Sequence, residues 1–135
     1  MEFNGEIVFG IADANPIKVD FGGDILPTKT IDKGSVVALG RKAPKYRWTY
    51  ILKYNNEKEY LECLEKMISQ LCEKSDCVNQ LTKIYDEVYI NLYIRSDFAE
   101  IGFSLPNNIL KKMSLLECTV NFVILSFGMA TDEES

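Results

Sequence analysis

The 135-residue chain contains no histidine. That removes the commonest general base and the commonest metal ligand together. No apolar run approaches the ~20 residues needed to span a bilayer. The start, Met1-Glu2-Phe3-Asn4-Gly5-Glu6, carries neither a basic stretch nor an apolar one, so no secretory signal and a cytoplasmic location are expected. The four cysteines, Cys63, Cys72, Cys77 and Cys118, form no CxxC pair and no zinc spacing. In a reducing compartment they read as free thiols, with Cys63 and Cys118 on apolar faces. Cys72 and Cys77 lie close in sequence and could approach each other only if their helix breaks between them.

Other chemical signatures are missing too. Gly34 to Arg41 has the wrong spacing for a phosphate loop and lacks its Lys-Ser/Thr end. Gly22-Gly23 is a turn, because no strand-glycine-helix unit surrounds it. A serine nucleophile would need a lysine base here, and no SxxK motif occurs. Asp13, Asp20, Asp24 and Asp32 fit no calcium loop, and turn chemistry explains them. The expectation is therefore a protein that is not an enzyme, with no metal site and no cofactor.

What is present is enough for one folded unit. The composition is 47% hydrophobic and 26% charged, as in a single domain over 1–130 with an acidic, disordered tail at 131–135. Glu6 to Ala12 is a nearly continuous apolar run, which predicts a central strand. Asp13 to Gly40 is irregular, with room for a short helix after Asn15-Pro16. Tyr46 to Tyr54 alternates cleanly, placing Tyr46, Trp48, Tyr50, Leu52 and Tyr54 on one face of a strand.

Asn56 with Glu59 then forms a variant capping box. Tyr60, Leu61, Leu64, Met67, Ile68 and Leu71 make the apolar stripe of a long helix. Ser75-Asp76 marks a break and a new cap, with Val78, Leu81 and Tyr85 continuing as a short helix or a kinked extension. Val88 to Ile94 alternates as another strand. Glu100 to Ser104 reads as its short hairpin partner. Ser104 and Pro106 predict a helix start carrying Ile109, Leu110 and Met113. Glu117 to Phe127 closes the chain as a strand.

That order predicts an α+β fold, a mainly antiparallel sheet of about five strands with one long helix and one short helix packed on one face. The long helix should cover Val88, Ile90, Leu92, Val120, Phe122 and Ile124. The opposite sheet face, with Tyr89, Tyr93, Thr119, Asn121 and Val123, has no predicted cover.

Charge is unevenly placed. The net charge is −5, yet residues 29–53 sum to +6, leaving −11 elsewhere. A basic strip can bind phosphate or nucleic acid, with Trp48 or a tyrosine for stacking. The acidic whole makes nucleic acid the less favoured partner, and an acidic surface steers basic proteins instead.

In the order Phe9-Gly10-Ile11, Pro27-Thr28, Lys33-Gly34, Trp48, the long helix, Ile101-Gly102-Phe103-Ser104-Leu105 and the strand from Cys118 to Leu125, the chain resembles the bacterial domain of unknown function 4279. The resemblance covers nearly the whole chain. One departure is Asn121, where the family commonly carries an acidic residue. The resemblance implies no catalytic residues and no cofactor. It implies kinship with immunity proteins encoded beside polymorphic toxins or toxins of contact-dependent growth inhibition. The expected function is neutralisation of a cognate toxin, a basic nuclease, by direct binding, and the alternative is a small-ligand or nucleic-acid module using residues 29–53. The expected partner-binding residues are Asp20, Asp24 and Asp32 in the irregular segment, and Glu62 and Glu65 on the helix.

Overall fold

The computed structural model describes residues 3–97 and 101–126. Five strands form one sheet: β1 (Asn4–Asp13), β2 (Lys29–Ile31), β3 (Tyr46–Tyr54), β4 (Glu87–Ser96) and β5 (Thr119–Ser126). Their order is β2-β3-β1-β4-β5. β1 is central and pairs antiparallel with β3 on one side and β4 on the other. Three helices, α1 (Glu57–Glu73), α2 (Ser75–Ile84) and α3 (Asn107–Met113), supply buried residues to the core on one face of that sheet. The α+β class holds, with one helix more than the long-and-short pair expected.

The sheet is mixed, because β4 and β5 run parallel. A parallel neighbour needs a crossover, and α3 lies in that connection. This position also explains why Ile101 to Ser104 is not the expected hairpin strand: β5 already occupies the edge of β4. Phe103 instead packs edge-on against Tyr60, with centroids 6.3 Å apart, and lies tilted against Phe122 at 5.9 Å. Glu100, Phe127 and the 131–135 tail lie outside the described residues.

α1 forms where its cap and stripe predict. Asn56 Oδ1 accepts from the Glu59 N–H at 2.9 Å, and Glu59 Oε1 accepts from the Asn55 N–H at 2.9 Å. Tyr60, Leu64, Met67, Ile68 and Leu71 are all fully buried. The break falls at Lys74, one residue before the expected Ser75 cap, and no side chain caps α2. It separates Cys72 from Cys77, and both remain free thiols, half-buried like Cys63 and Cys118. α3 begins at Asn107 after Pro106, so the expected Ser104 cap is not used. Asn79 of α2 grips the link to β5, donating to Leu115 O at 3.0 Å and accepting from Glu117 N at 2.8 Å.

The irregular segment holds β2 but no helix after Pro16. It plugs the core instead. Phe21 and Ile25 are buried, and Phe21 packs 5.7 Å from Trp48, which also meets Phe9 edge-on at 6.0 Å. At the other sheet edge the expectation fails in part. Val120 is half-buried against the core, but Phe122 and Ile124 are 46% and 47% exposed, because β5 lies at the margin of the helical layer.

A buried carboxylate ties the end of β1 to the start of β4. Asp13 Oδ1 accepts from the Asp86 N–H at 2.7 Å and its Oδ2 from the Asn15 N–H at 2.9 Å. The Asn15 N–H first, and then the Asp86 N–H, hold this carboxyl below its ordinary value of 3.8.

Two stability measurements follow from this packing. Leu64→Ala should lower unfolding free energy by ~2–5 kcal/mol in a urea titration, as a buried truncation. Asp13 adds stability that is present above its unfolded value and lost as pH falls through the lowered folded value. Asp13→Asn should therefore destabilise at neutral pH and shrink the loss on acidification, measured as Tm against pH.

Candidate functional site

Strand alternation turns a second set of side chains away from the helices. They line a broad depression of about 490 Å³ that crosses all five strands, from Lys29 and Ile31 on β2 to Asn121 on β5. Its floor is a small apolar cluster of Val8, Ala12 and Tyr89, with Ile51 and Tyr93 half-buried beside it.

Gly10 makes this floor possible. It pairs with Thr49 and with Tyr89, and a Cβ on Gly10 would stand 2.3 Å from Tyr89 Cζ. Only a bare backbone leaves room for the Tyr89 ring to lie across β1. The hydroxyl then reaches β3 and accepts from Arg47 Nη1 at 2.9 Å. Burial pushes the Tyr89 phenol above its usual value while Arg47 opposes the shift, so it stays neutral at pH 7. The phenol anchors the Arg47 guanidinium over the floor of the depression.

On the far side lies a row of neutral donors and acceptors. Asn121 Nδ2 donates to Asn91 Oδ1 at 2.8 Å, and Asn91 Nδ2 donates to the Tyr93 hydroxyl at 3.1 Å. Charges of both signs rim the depression. Lys45 meets Glu87 at 2.8 Å and Asp86 at 3.7 Å, and Arg95 approaches Glu6 at 3.9 Å. The Glu87 contact raises the pKa of Lys45, and the same contact lowers that of Glu87. Rigid phenols, amides and one guanidinium suit directional recognition.

The residues expected from sequence to bind a partner lie elsewhere. Asp20, Asp24, Asp32, Glu62 and Glu65 are all exposed, but the fold does not gather them. Asp20 Oδ1 accepts from the Gly22 N–H at 2.9 Å, which is turn chemistry. Asp24 lines a hollow with Gln70, Glu73 and Lys74 near the end of α1. Asp32 lines a different hollow, beside β2. Glu62 and Glu65 stand on the outer side of α1, between its buried positions.

The basic segment is divided as well. Lys45 is held in ion pairs, Arg47 holds Tyr89, and Trp48 is buried, so Trp48 offers no stacking surface. Among the described residues no group of three or more Cys, Asp or Glu is placed to hold a metal ion. Burial pushes the Cys118 thiol up to about 11, which leaves it a poor nucleophile. Tyr89, Asn91, Tyr93 and Asn121 were not among the expected partner-binding residues, and Arg47 figured only as one cation of the basic segment 29–53. Their signal was the uncovered sheet face itself.

The Gly10 notch is open to a direct test. Gly10→Ala should cost about 1–3 kcal/mol through overpacking against the Tyr89 ring. Adding Tyr89→Ala should make the pair of changes less than additive in a double-mutant cycle read by chemical denaturation. Strict additivity would place the strain somewhere else.

No curated protein and no solved structure matches the chain. The family model described as "Domain of unknown function (DUF4279)" matches residues 12–126, which takes in β2 to β5 whole but only Ala12 and Asp13 of β1. With most of its length matched, the chain belongs to the DUF4279 family.

Proposed function

We propose that the protein neutralises a cognate toxin domain by direct binding and performs no catalysis of its own, with the helix-free sheet face as the main contact surface. The observation that carries this reading is the pre-organised Arg47–Tyr89 and Asn121–Asn91–Tyr93 arrangement on an open, uncovered sheet. Tyr89 is buried and fixes Arg47 from below, while Arg47, Asn91, Tyr93 and Asn121 remain accessible, and tyrosine and arginine are enriched among the residues that dominate protein interfaces. Little side-chain entropy remains to be lost on docking. The net charge of −5 favours a basic partner and speeds its approach.

The mixed sign of the rim argues against a phosphate polymer as the ligand. Glu6 and Glu87 stand in the same depression as Lys29 and Arg47. A nucleic-acid groove would concentrate cations along one track.

The test is co-purification with the product of the adjacent upstream gene, together with protection of cells that express that product. Tyr93→Ala and Asn121→Ala should each weaken the complex by about tenfold or more. Asp20→Lys with Asp24→Lys should slow association and leave the dissociation rate nearly unchanged. Full binding by both sheet-face variants, with loss on Glu62→Lys and Glu65→Lys, would move the site to α1. A neighbouring product that neither binds nor harms cells would sink the toxin reading altogether.

A further inference from the structure

Neither the core nor the sheet face accounts for the hairpin between β2 and β3. Gly34 N donates to Ala43 O at 2.8 Å, Ala43 N to Ser35 O at 2.8 Å, and Val37 N to Arg41 O at 2.7 Å. Val36 and Lys42 bridge across it, and a single 3-10 turn, Ala38–Gly40, forms its tip. At that tip stands Leu39, with φ 61° and ψ 28°. Among the described residues it alone combines a side chain with a positive φ. A branched side chain is disfavoured there, and burial elsewhere normally offsets such strain.

Leu39 has no such burial. It is 90% exposed, and Val36 is 71% exposed. Glycine would satisfy the backbone better and expose less apolar surface. A residue that opposes both local conformation and solvation points to a use outside the fold. The surrounding charge says what kind of use. Lys33, Arg41 and Lys42 are exposed on the hairpin, with Asp32 as the one acid beside them. A hollow containing Val36 and Val37 continues onto Lys29 and Ile31, which also line the sheet-face depression.

We propose that this hairpin is a recognition knob: Leu39 and Val36 enter an apolar pocket on the partner protein, and Lys33, Arg41 and Lys42 meet carboxylates on that pocket's rim. The inference rests on the protein-binding reading above and specifies the partner's chemistry. Two aliphatic side chains fill one protein pocket. On a bilayer they hold little, since even a whole myristoyl chain gives only marginal, reversible binding. The −11 balance outside residues 29–53 would also oppose an anionic leaflet.

Leu39→Gly separates recognition from folding. Its Tm should equal or exceed that of the parent, because glycine accepts the positive φ. Its Kd for the purified product of the adjacent upstream gene should rise about 10- to 100-fold. Arg41→Glu with Lys42→Glu should slow association and flatten its dependence on salt. A photo-crosslinker placed at position 39 should mark an apolar residue of that product with Asp or Glu nearby. If the parent protein binds no such product, the toxin reading falls and this inference with it. If the parent binds and Leu39→Gly binds equally well, the knob alone is wrong and the sheet-face reading stands. A lower Tm for Leu39→Gly would assign Leu39 a structural role and overturn the proposal. Parent binding to phosphatidylserine vesicles that Leu39→Gly loses would overturn it in favour of a lipid surface.

Discussion

The structure depends on crowding over β1. This strand is bonded along its length to β3 and β4, so its two faces are the inner wall of the core and the floor of the open depression. Each face carries a large phenol that must cross it, and each crossing is met by a glycine. On the helix side Tyr54 passes over Gly5 to donate to Tyr93 O at 2.6 Å, where a Cβ would stand 2.6 Å from the hydroxyl. On the open side Tyr89 passes over Gly10 to reach Arg47. Both bonds link β3 to β4 across the strand between them. The three strands therefore lock as one unit, with main-chain pairing reinforced from above and below. Everything else is hung on that unit: α1 over its inner face, β2 and the hairpin on one flank, β5 on the other.

The parts legible from sequence are those written in local periodicity. The Tyr46–Tyr54 alternation and the Tyr60–Leu71 stripe are single-element patterns, and both elements lie where the pattern puts them. The Asn56–Glu59 cap is equally local. What failed depended on partners remote in the chain. Phe21 and Ile25 look like isolated apolar residues in a turn-rich stretch, and only the position of Trp48 makes them core. The direction of β5 is set by which edge of β4 is vacant and by the crossover through α3, and neither is a property of residues 117–127. The same gap explains Phe122. Its alternation fits a core strand, but an edge strand at the margin of the helical layer is only partly covered.

The candidate site was half legible. Alternation alone places Tyr89, Tyr93 and Asn121 on an uncovered face. It does not show that Asn121 falls beside Asn91, which is a fact of register between strands 30 residues apart. Nor does it show that Arg47 and Tyr89 meet across Gly10, because that contact skips a strand. The amide at position 121 now has a physical meaning. An Asn there donates to Asn91 and continues a neutral row, whereas a carboxylate could only accept.

Charge pattern misleads for a related reason. A run of cations from Lys29 to Lys53 reads as one strip, yet pairing in space decides which of them face a partner. Lys45 is occupied by Glu87 and Asp86, and Arg47 is turned to Tyr89. Lys29 and Lys53 stay exposed on their strands, and Lys33, Arg41 and Lys42 stay exposed on the hairpin that carries the apolar tip. Three charges around two aliphatic side chains make a compact, convex feature. Its complement is concave, apolar at the bottom and acidic at the rim, and that shape belongs to a folded protein more than to a polymer of phosphates. The sheet face beside it offers phenols and amides whose hydrogen bonds depend on angle and distance. The hollow beside the hairpin and the sheet-face depression share Lys29 and Ile31, so the apolar tip and the amide row adjoin on the side of the sheet that the helical layer leaves open.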